Sequence, residues 1–342
     1  MASAPGGGRL VGLQYLRAAA ALAVLCYHAL ERSGVLVVTL SAGVSVFFVI
    51  SGFIILHIVL DRPFDPVRFL WHRIARIVPL YWAVTLLIVA LWWVAPSAMP
   101  NLRPGVEALL KSLLFIPYLD HNGDLYPLLV PGWTLNYEMF FYLLVAGCWL
   151  LPARFRLPAL FGLLLGLVAA GLALRPASPV LWLWTSSLLL QFGAGCGLAV
   201  ALARGARPGR RAGLALLALA VAGFLASELL GPPGQAWQPL IWGAAATALV
   251  AGTLALEPAA EPRGLGWLRR LGDASYSIYL LHPLVVGVVR RFIGSESPFT
   301  ATALSVLLAS AIALPCYALF ERPAERWLRG RLATKPRIAV AS

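Results

Sequence analysis

Residues 15–28 read YLRAAAALAVLCYH. The apolar run continues on both sides, from about residue 11 to 31, which is the length of roughly 20 residues that a helix needs to cross hydrocarbon. That reading decides the fold class, because the same pattern recurs along the chain. Inside such a span a guanidinium and an imidazole are costly, and residues of this kind mark function. Eleven helical steps of about 100° make three turns plus roughly 20°, so Arg17 and His28 share one face. They lie about 16 Å apart along the axis, too far to bond to each other.

The composition agrees with a membrane protein. Of 342 residues 60% are hydrophobic and only 12% charged, and the mean hydropathy is +0.82. Soluble domains carry roughly a quarter charged residues. Ten spans are expected, at about 11–31, 41–60, 77–95, 133–151, 157–174, 181–203, 212–230, 238–256, 275–293 and 299–320. The expectation is an all-α polytopic bundle, whose first span is retained rather than cleaved as a signal peptide. Segment 106–118 is shorter and reads as a re-entrant or interfacial piece.

The net charge of +13 raises the question of nucleic acid. Its distribution answers it. Twenty of the 27 Lys and Arg residues fall on one side of the ten-span arrangement and six on the other, with Arg17 inside. This asymmetry is a topology signal, places both termini in the cytoplasm and argues against a nucleic-acid partner. Cys26, Cys148, Cys196 and Cys316 lie in or beside apolar runs without a CxxC pair, so they read as packing residues rather than zinc ligands. The long loop 96–132 on the non-cytoplasmic side holds polar and aromatic residues, and is either a cap or an acceptor-binding surface.

Several stretches carry chemistry. In the first span Arg17 either snorkels to headgroups or binds a substrate. His28 is either an interfacial histidine or a base, and Glu31, three residues on, is placed to orient it. In GVSVFFVISGFII (43–55) Ser51 and Gly52 read mainly as small residues that let helices approach. RFLWHRIARIVPLYW (68–82) places Arg73 and Arg76 three residues apart on one face, suited to a polyanion at a helix start or to a positive-inside signal. Trp71 and Tyr81 read as interfacial anchors. In PGWTLNYEMFFYLL (131–144) Glu138 sits in an otherwise apolar helix and must be protonated, paired or facing a polar cavity, which Asn136 and Tyr137 could share. LGDASYSIYLLHPL (271–284) contains Asp273 and Ser275, which read as caps, and buries His282. FERPAERW (320–327) offers Glu321 as a salt-bridged helix end.

In this order, over residues 10–328, these stretches resemble the acyltransferase-3 family of membrane O-acyltransferases. YLRAAAALAVLCYH matches its Arg-x10-His signature at Arg17 and His28, FFVISGF its second-span motif, and RIAR its Arg-x-x-Arg motif at Arg73 and Arg76. GWTLNYEMFFY matches the pattern around Glu138, and SYSIYLLHP and FERP match the closing segments. The resemblance implies a multi-pass protein of the bacterial inner membrane, without a metal. Many members carry a further hydrolase-like SGNH domain, which is not expected beside the ten spans here. It implies transfer of an acyl group, acetyl in many members, from cytoplasmic acyl-CoA to a hydroxyl of a carbohydrate or glycolipid, such as an exopolysaccharide or lipopolysaccharide O-antigen.

The residue reading and the resemblance converge on one mechanism. Arg73 and Arg76, with Arg17, hold the acyl-CoA donor. His28, Glu138 and Arg17 form the catalytic set, with His28 as base. Glu31, Asn136, Tyr137 and His282 contact or position substrate. The competing expectation is a proton-coupled transporter or flippase using the intramembrane Arg17, His28, Glu138 and His282, although no internal repeat supports it.

Overall fold

The computed structural model describes residues 10–61, 64–229, 237–258, 260–293 and 297–333. Of the basic residues used for orientation, Arg9, Arg62, Lys335 and Arg337 lie outside these, as do tail residues 1–9 and 334–342. Among the described residues every regular element is helical. The longer helices are α1 (Val11–Glu31), α2 (Gly43–Leu60), α3 (Pro66–Val94), α4 (Val106–Leu113), α5 (Gly132–Cys148), α6 (Ala153–Leu174), α7 (Pro179–Trp184), α8 (Leu189–Ala203), α9 (Arg210–Leu229), α10 (Gln238–Ala255), α11 (Gly266–Asp273), α12 (Ser275–Ile293), α13 (Pro298–Cys316) and α14 (Arg322–Ala333).

Nine segments among the described residues are long and apolar enough to cross a membrane, one fewer than the ten expected. The difference is 133–151. Its helix α5 has 17 residues and buries ten of them, including Asn136 and Tyr137. A helix screened by its neighbours can carry polar groups that lipid would not tolerate. The segment 181–203 is two helices, α7 and α8, broken at 185–188.

The third span begins earlier than residue 77. Asp65 accepts from the backbone N–H of Val67 and Arg68, at 2.9 and 3.0 Å, and Pro66 opens the helix. Asp at the cap and Pro at the first position both favour a start there. Arg73 and Arg76 therefore lie two to three turns inside α3, beyond the first turn in which the helix dipole is felt. Their forked donors, not the dipole, suit them to an anion. Tyr81 is fully buried and donates to Ser112 O at 3.1 Å, so it is a packing residue rather than an anchor.

Close approaches set the positions of the core helices. A Cβ on Gly52 would stand 2.1 Å from Phe192 O, and one on Gly195 would stand 2.0 Å from Val49 O. The expectation for Gly52 holds: α2 and α8 meet backbone to backbone, which small residues permit. Likewise a Cβ on Gly272 would lie 2.0 Å from Gln14 O, so α11 presses against the first turn of α1 and carries Ser275 up to Arg17. The start of α1 is capped from far along the chain, where Glu257 accepts from Val11 N at 2.5 Å and Gly12 N at 3.0 Å. These N–H groups have no partner within the helix, and a carboxylate suits them.

Candidate active site

A cavity of about 450 Å³ runs through the end of the bundle where α1 and α3 begin. Arg17, Ser51, Arg73, Arg76 and Glu138 line it from four helices, and Ser275, Tyr276 and Tyr279 line it from α12. Arg17 turns into the bundle: Nη2 donates to Ser275 Oγ at 2.9 Å and Nη1 to Gln14 Oε1 at 3.4 Å. Snorkelling is thereby set aside, because the guanidinium is already partnered inside the protein. Ser275 is the acceptor for Arg17, a contact the capping expectation did not include.

Glu138 accepts hydrogen bonds from Ser51 Oγ and, at 3.2 Å, from Tyr142 OH. Two hydroxyl donors and a cavity shared with arginines meet the requirement that a carboxylate in a membrane helix be solvated by something. Steps of about 100° put Thr134, Glu138 and Tyr142 on one face of α5 and turn Asn136 and Tyr137 away. Those two do not line the cavity. Tyr137 packs in a ring cluster with Phe48 and Trp133, centroids 5.7 and 5.9 Å away, and Asn136 is buried with Oδ1 unpartnered.

The other end of α1 has a different construction. His28 Nδ1 lies 3.3 Å from Glu31 Oε2, and Tyr27 OH donates to Glu31 Oε1 at 2.8 Å. A carboxylate only accepts, so Nδ1 carries a proton, and in the neutral ring Nε2 keeps its lone pair. Glu31 lies in contact with the imidazole, as its spacing allows, whereas Glu138 is hydrogen-bonded to Ser51 and Tyr142. The His28 ring stacks on His282, centroids 5.2 Å apart and planes at 19°.

His282 is fixed by the residue after it. Pro283 has no N–H, so it leaves Tyr279 O unpaired in the helix ladder. His282 Nδ1 takes that carbonyl at 2.7 Å. Its Nε2 is buried without a partner. Tyr279 joins the two ends. It lines the cavity, bonds to Thr134 Oγ1 at 3.0 Å, and sets its ring 5.8 Å from that of His282. His28 and His282 do not line the cavity themselves.

Glu321 is not the expected salt-bridged helix end. It is 2% exposed, accepts from Ser277 Oγ at 2.5 Å, and closes a π-helical turn, Tyr317–Glu321, between α13 and α14. Such turns recur at functional sites, and α14, which follows this one, packs against α3. Ser51, Tyr142, Ser275 and Tyr279 are among the site contacts that sequence reasoning missed. Each is a hydroxyl within a motif already noted, and only the packing shows its partner. Among the described residues no group of three or more His, Cys, Asp or Glu side chains is placed to hold a metal ion.

A second cavity, of about 580 Å³, lies in the loop between α3 and α5. Its polar lining includes Arg103, Glu107, Lys111, Asp120, His121 and Tyr126. The loop is anchored: Ser112 Oγ bonds to Tyr118 OH and accepts from Leu128 N, both at 3.0 Å. Burial, followed by the Asp124 and Glu31 carboxylates, raises the Tyr126 phenol above its ordinary pKa, so the phenol is a neutral donor near the His28 end of α1.

The family model described as an acyltransferase domain matches residues 10–321. The chain is 39% identical over 314 residues to the exopolysaccharide production protein ExoZ of Rhizobium meliloti (strain 1021), covering 91% of this chain and 97% of ExoZ. It is 28% identical over 352 residues to the acyltransferase MdmB of Streptomyces mycarofaciens, covering 91% of this chain and 87% of MdmB. No solved structure matches it. With its apolar helices and the ordered motifs around Arg17, His28 and Glu138, the chain belongs to the acyltransferase-3 family and is a multi-pass membrane O-acyltransferase.

Proposed function

We propose that the protein transfers an acyl group, acetyl in the simplest case, from cytoplasmic acyl-CoA to a hydroxyl of an exported carbohydrate. An exopolysaccharide fits the likeness to ExoZ, and a lipopolysaccharide O-antigen shares the same hydroxyl chemistry. The observation that carries the reading is the path from Arg73 and Arg76, past Arg17, to Tyr279 and the stacked His282 and His28. In this reading the arginine end faces the cytoplasm of a bacterial inner membrane, with both termini on that side and α5 as the tenth span. The second cavity then faces outward and receives the carbohydrate.

Arg73 and Arg76 hold the coenzyme A phosphates with forked, charged donors. The pantetheine arm follows the cavity along α1, whose length of about 16 Å from Arg17 to His28 is a span such an arm can cover. Thr134 and Tyr279 part to pass the thioester. His28 Nε2 takes the proton of the acceptor hydroxyl as the oxygen adds to the thioester carbonyl. The tetrahedral oxyanion collapses with cleavage of the C–S bond, and the proton goes from His28 to the departing thiolate. Glu31 holds His28 in the required tautomer and stabilises its charged form. His282, with its free Nε2, accepts a hydrogen bond from the acceptor. Arg17 positions the donor, and Glu138 keeps the channel polar beside it. Direct attack needs no acyl-enzyme.

Membranes incubated with radiolabelled acetyl-CoA test this reading: label should pass to carbohydrate with wild type. Mass spectrometry of surface polysaccharide from a deletion strain should show the loss of one acyl mass per modified unit. Wild-type membranes that move carbohydrate without labelling it would overturn the proposal.

A further inference from the structure

The sequence motif gives two arginines to the donor, yet the cavity they line is closed by a third element. Helix α14 lies along α3, pinned by Trp71 Nε1 donating to Leu328 O at 2.8 Å. From it Arg322, Arg326 and Arg329 face the same cavity as Arg73 and Arg76. Near this mouth the only carboxylate lining the cavity from α14 is Glu325, with Asp273 and Glu138 lining it from α11 and α5. Glu325 stands between the two helices, bonded to Arg329 Nη2 and 4.0 Å from Arg76 Nη1. It occupies the place where an external anion would bridge the same two guanidiniums.

Two donors are left over. The Nε atoms of Arg73 and Arg329 are both buried without a hydrogen-bond partner. A buried donor without an acceptor costs roughly 1–3 kcal/mol, so a site that keeps two of them, one from each helix, is built for an acceptor that comes from outside. Planar guanidinium edges with a free Nε match phosphate oxygens in a two-point fit. The chain folds so that residues about 250 positions apart supply these edges, since Arg73 and Arg329 belong to α3 and α14.

Resting on the acyl-CoA reading above, we infer that α14 completes the donor site: Arg329 and Arg326, with Arg73 and Arg76, form a cradle for the phosphates of the nucleotide end of coenzyme A, and Glu325 is the internal counter-ion those phosphates displace. The cradle recognises the 3′-phosphate and diphosphate, and the acyl-pantetheine portion lies deeper, past Arg17.

The test uses the full chain in nanodiscs of zwitterionic lipid, with acetyl-CoA and the phosphate-free donor acetyl-pantetheine compared. Arg329→Gln and Arg326→Gln should each lower kcat/KM for acetyl-CoA at least about tenfold more than for acetyl-pantetheine, as expected when a charged hydrogen bond is lost. The loss should appear in KM, and Arg329→Lys should recover part of it. Glu325→Gln should lower KM for acetyl-CoA. Equal losses with the two donors would assign α14 a structural role and overturn the inference, as would an unchanged KM in both arginine variants or a raised KM in Glu325→Gln. A selective effect seen only in anionic nanodiscs would assign these arginines to lipid headgroups, with the same consequence. Wild type that accepts neither donor would instead overturn the acyl-CoA reading itself, and the cradle with it.

Discussion

The two ends of α1 hold polar groups by different means. At the Arg17 end the holding groups are charges and hydroxyls brought from five other helices: Ser51, Arg73, Arg76, Glu138, Ser275 and Arg329 come together around one cavity. At the His28 end the partners are few and close. One carboxylate three residues away and one stacked imidazole define the histidine. The first arrangement suits a ligand recognised by its charge. The second suits a single atom, Nε2, presented in one tautomer of the ring. Under the proposed function this difference separates binding from chemistry along the helix, so variants at one end should change KM for the donor and variants at the other should change kcat.

The largest effect is expected at the histidine end. His28→Ala should reduce label transfer by about 10²–10⁴-fold, the range for losing a positioned base, with acetyl-CoA binding retained. If binding were lost along with transfer, the two ends would not be separable. At the arginine end, replacing Arg73 and Arg76 together by Gln should raise KM for acetyl-CoA by roughly 100-fold with a smaller change in kcat. A kcat effect alone, measured in the same assay, would reverse the assignment of the ends.

Between the ends, Gly52→Ala tests the frame on which both depend. Its new Cβ would collide with Phe192 O at 2.1 Å, and such overpacking costs about 1–3 kcal/mol, readable as a fall in Tm of the detergent-solubilised protein. The smallest effect belongs to the junction. Tyr279→Phe removes the bond to Thr134, worth about 1 kcal/mol. If Thr134 and Tyr279 part during each turnover, kcat should change by a few fold while KM for donor stays constant. A shift confined to KM would place the junction in donor binding.

Much of this was legible in the chain. Apolar runs of spanning length require helices, because each backbone polar group in hydrocarbon must be satisfied within its own segment. Polar residues inside those runs stand out for the same reason, which is why Arg17, His28, Glu138 and His282 were visible before any contact was known. Local spacing was reliable where partners lie within one turn, as with His28 and Glu31. The boundary of α3 was missed by eleven residues, since its first three turns carry Arg68, Arg73 and Arg76 and so fail a test of apolarity. The cap at Asp65 and Pro66 was the signal available there.

What the sequence by itself determined is therefore the all-helical membrane bundle, the family, and the identity of the residues too polar to sit in lipid without cause. What only the tertiary structure decided is their grouping. Glu138 belongs with Ser51 and Tyr142 rather than with His28, Asn136 and Tyr137 turn away from the cavity, and α14 returns from the far end of the chain to meet α3. Helical periodicity fixes which face a residue occupies. Which helix covers that face depends on long-range packing, here set by close backbone approaches at Gly52, Gly195 and Gly272 and by the Trp71–Leu328 bond that joins α3 to α14.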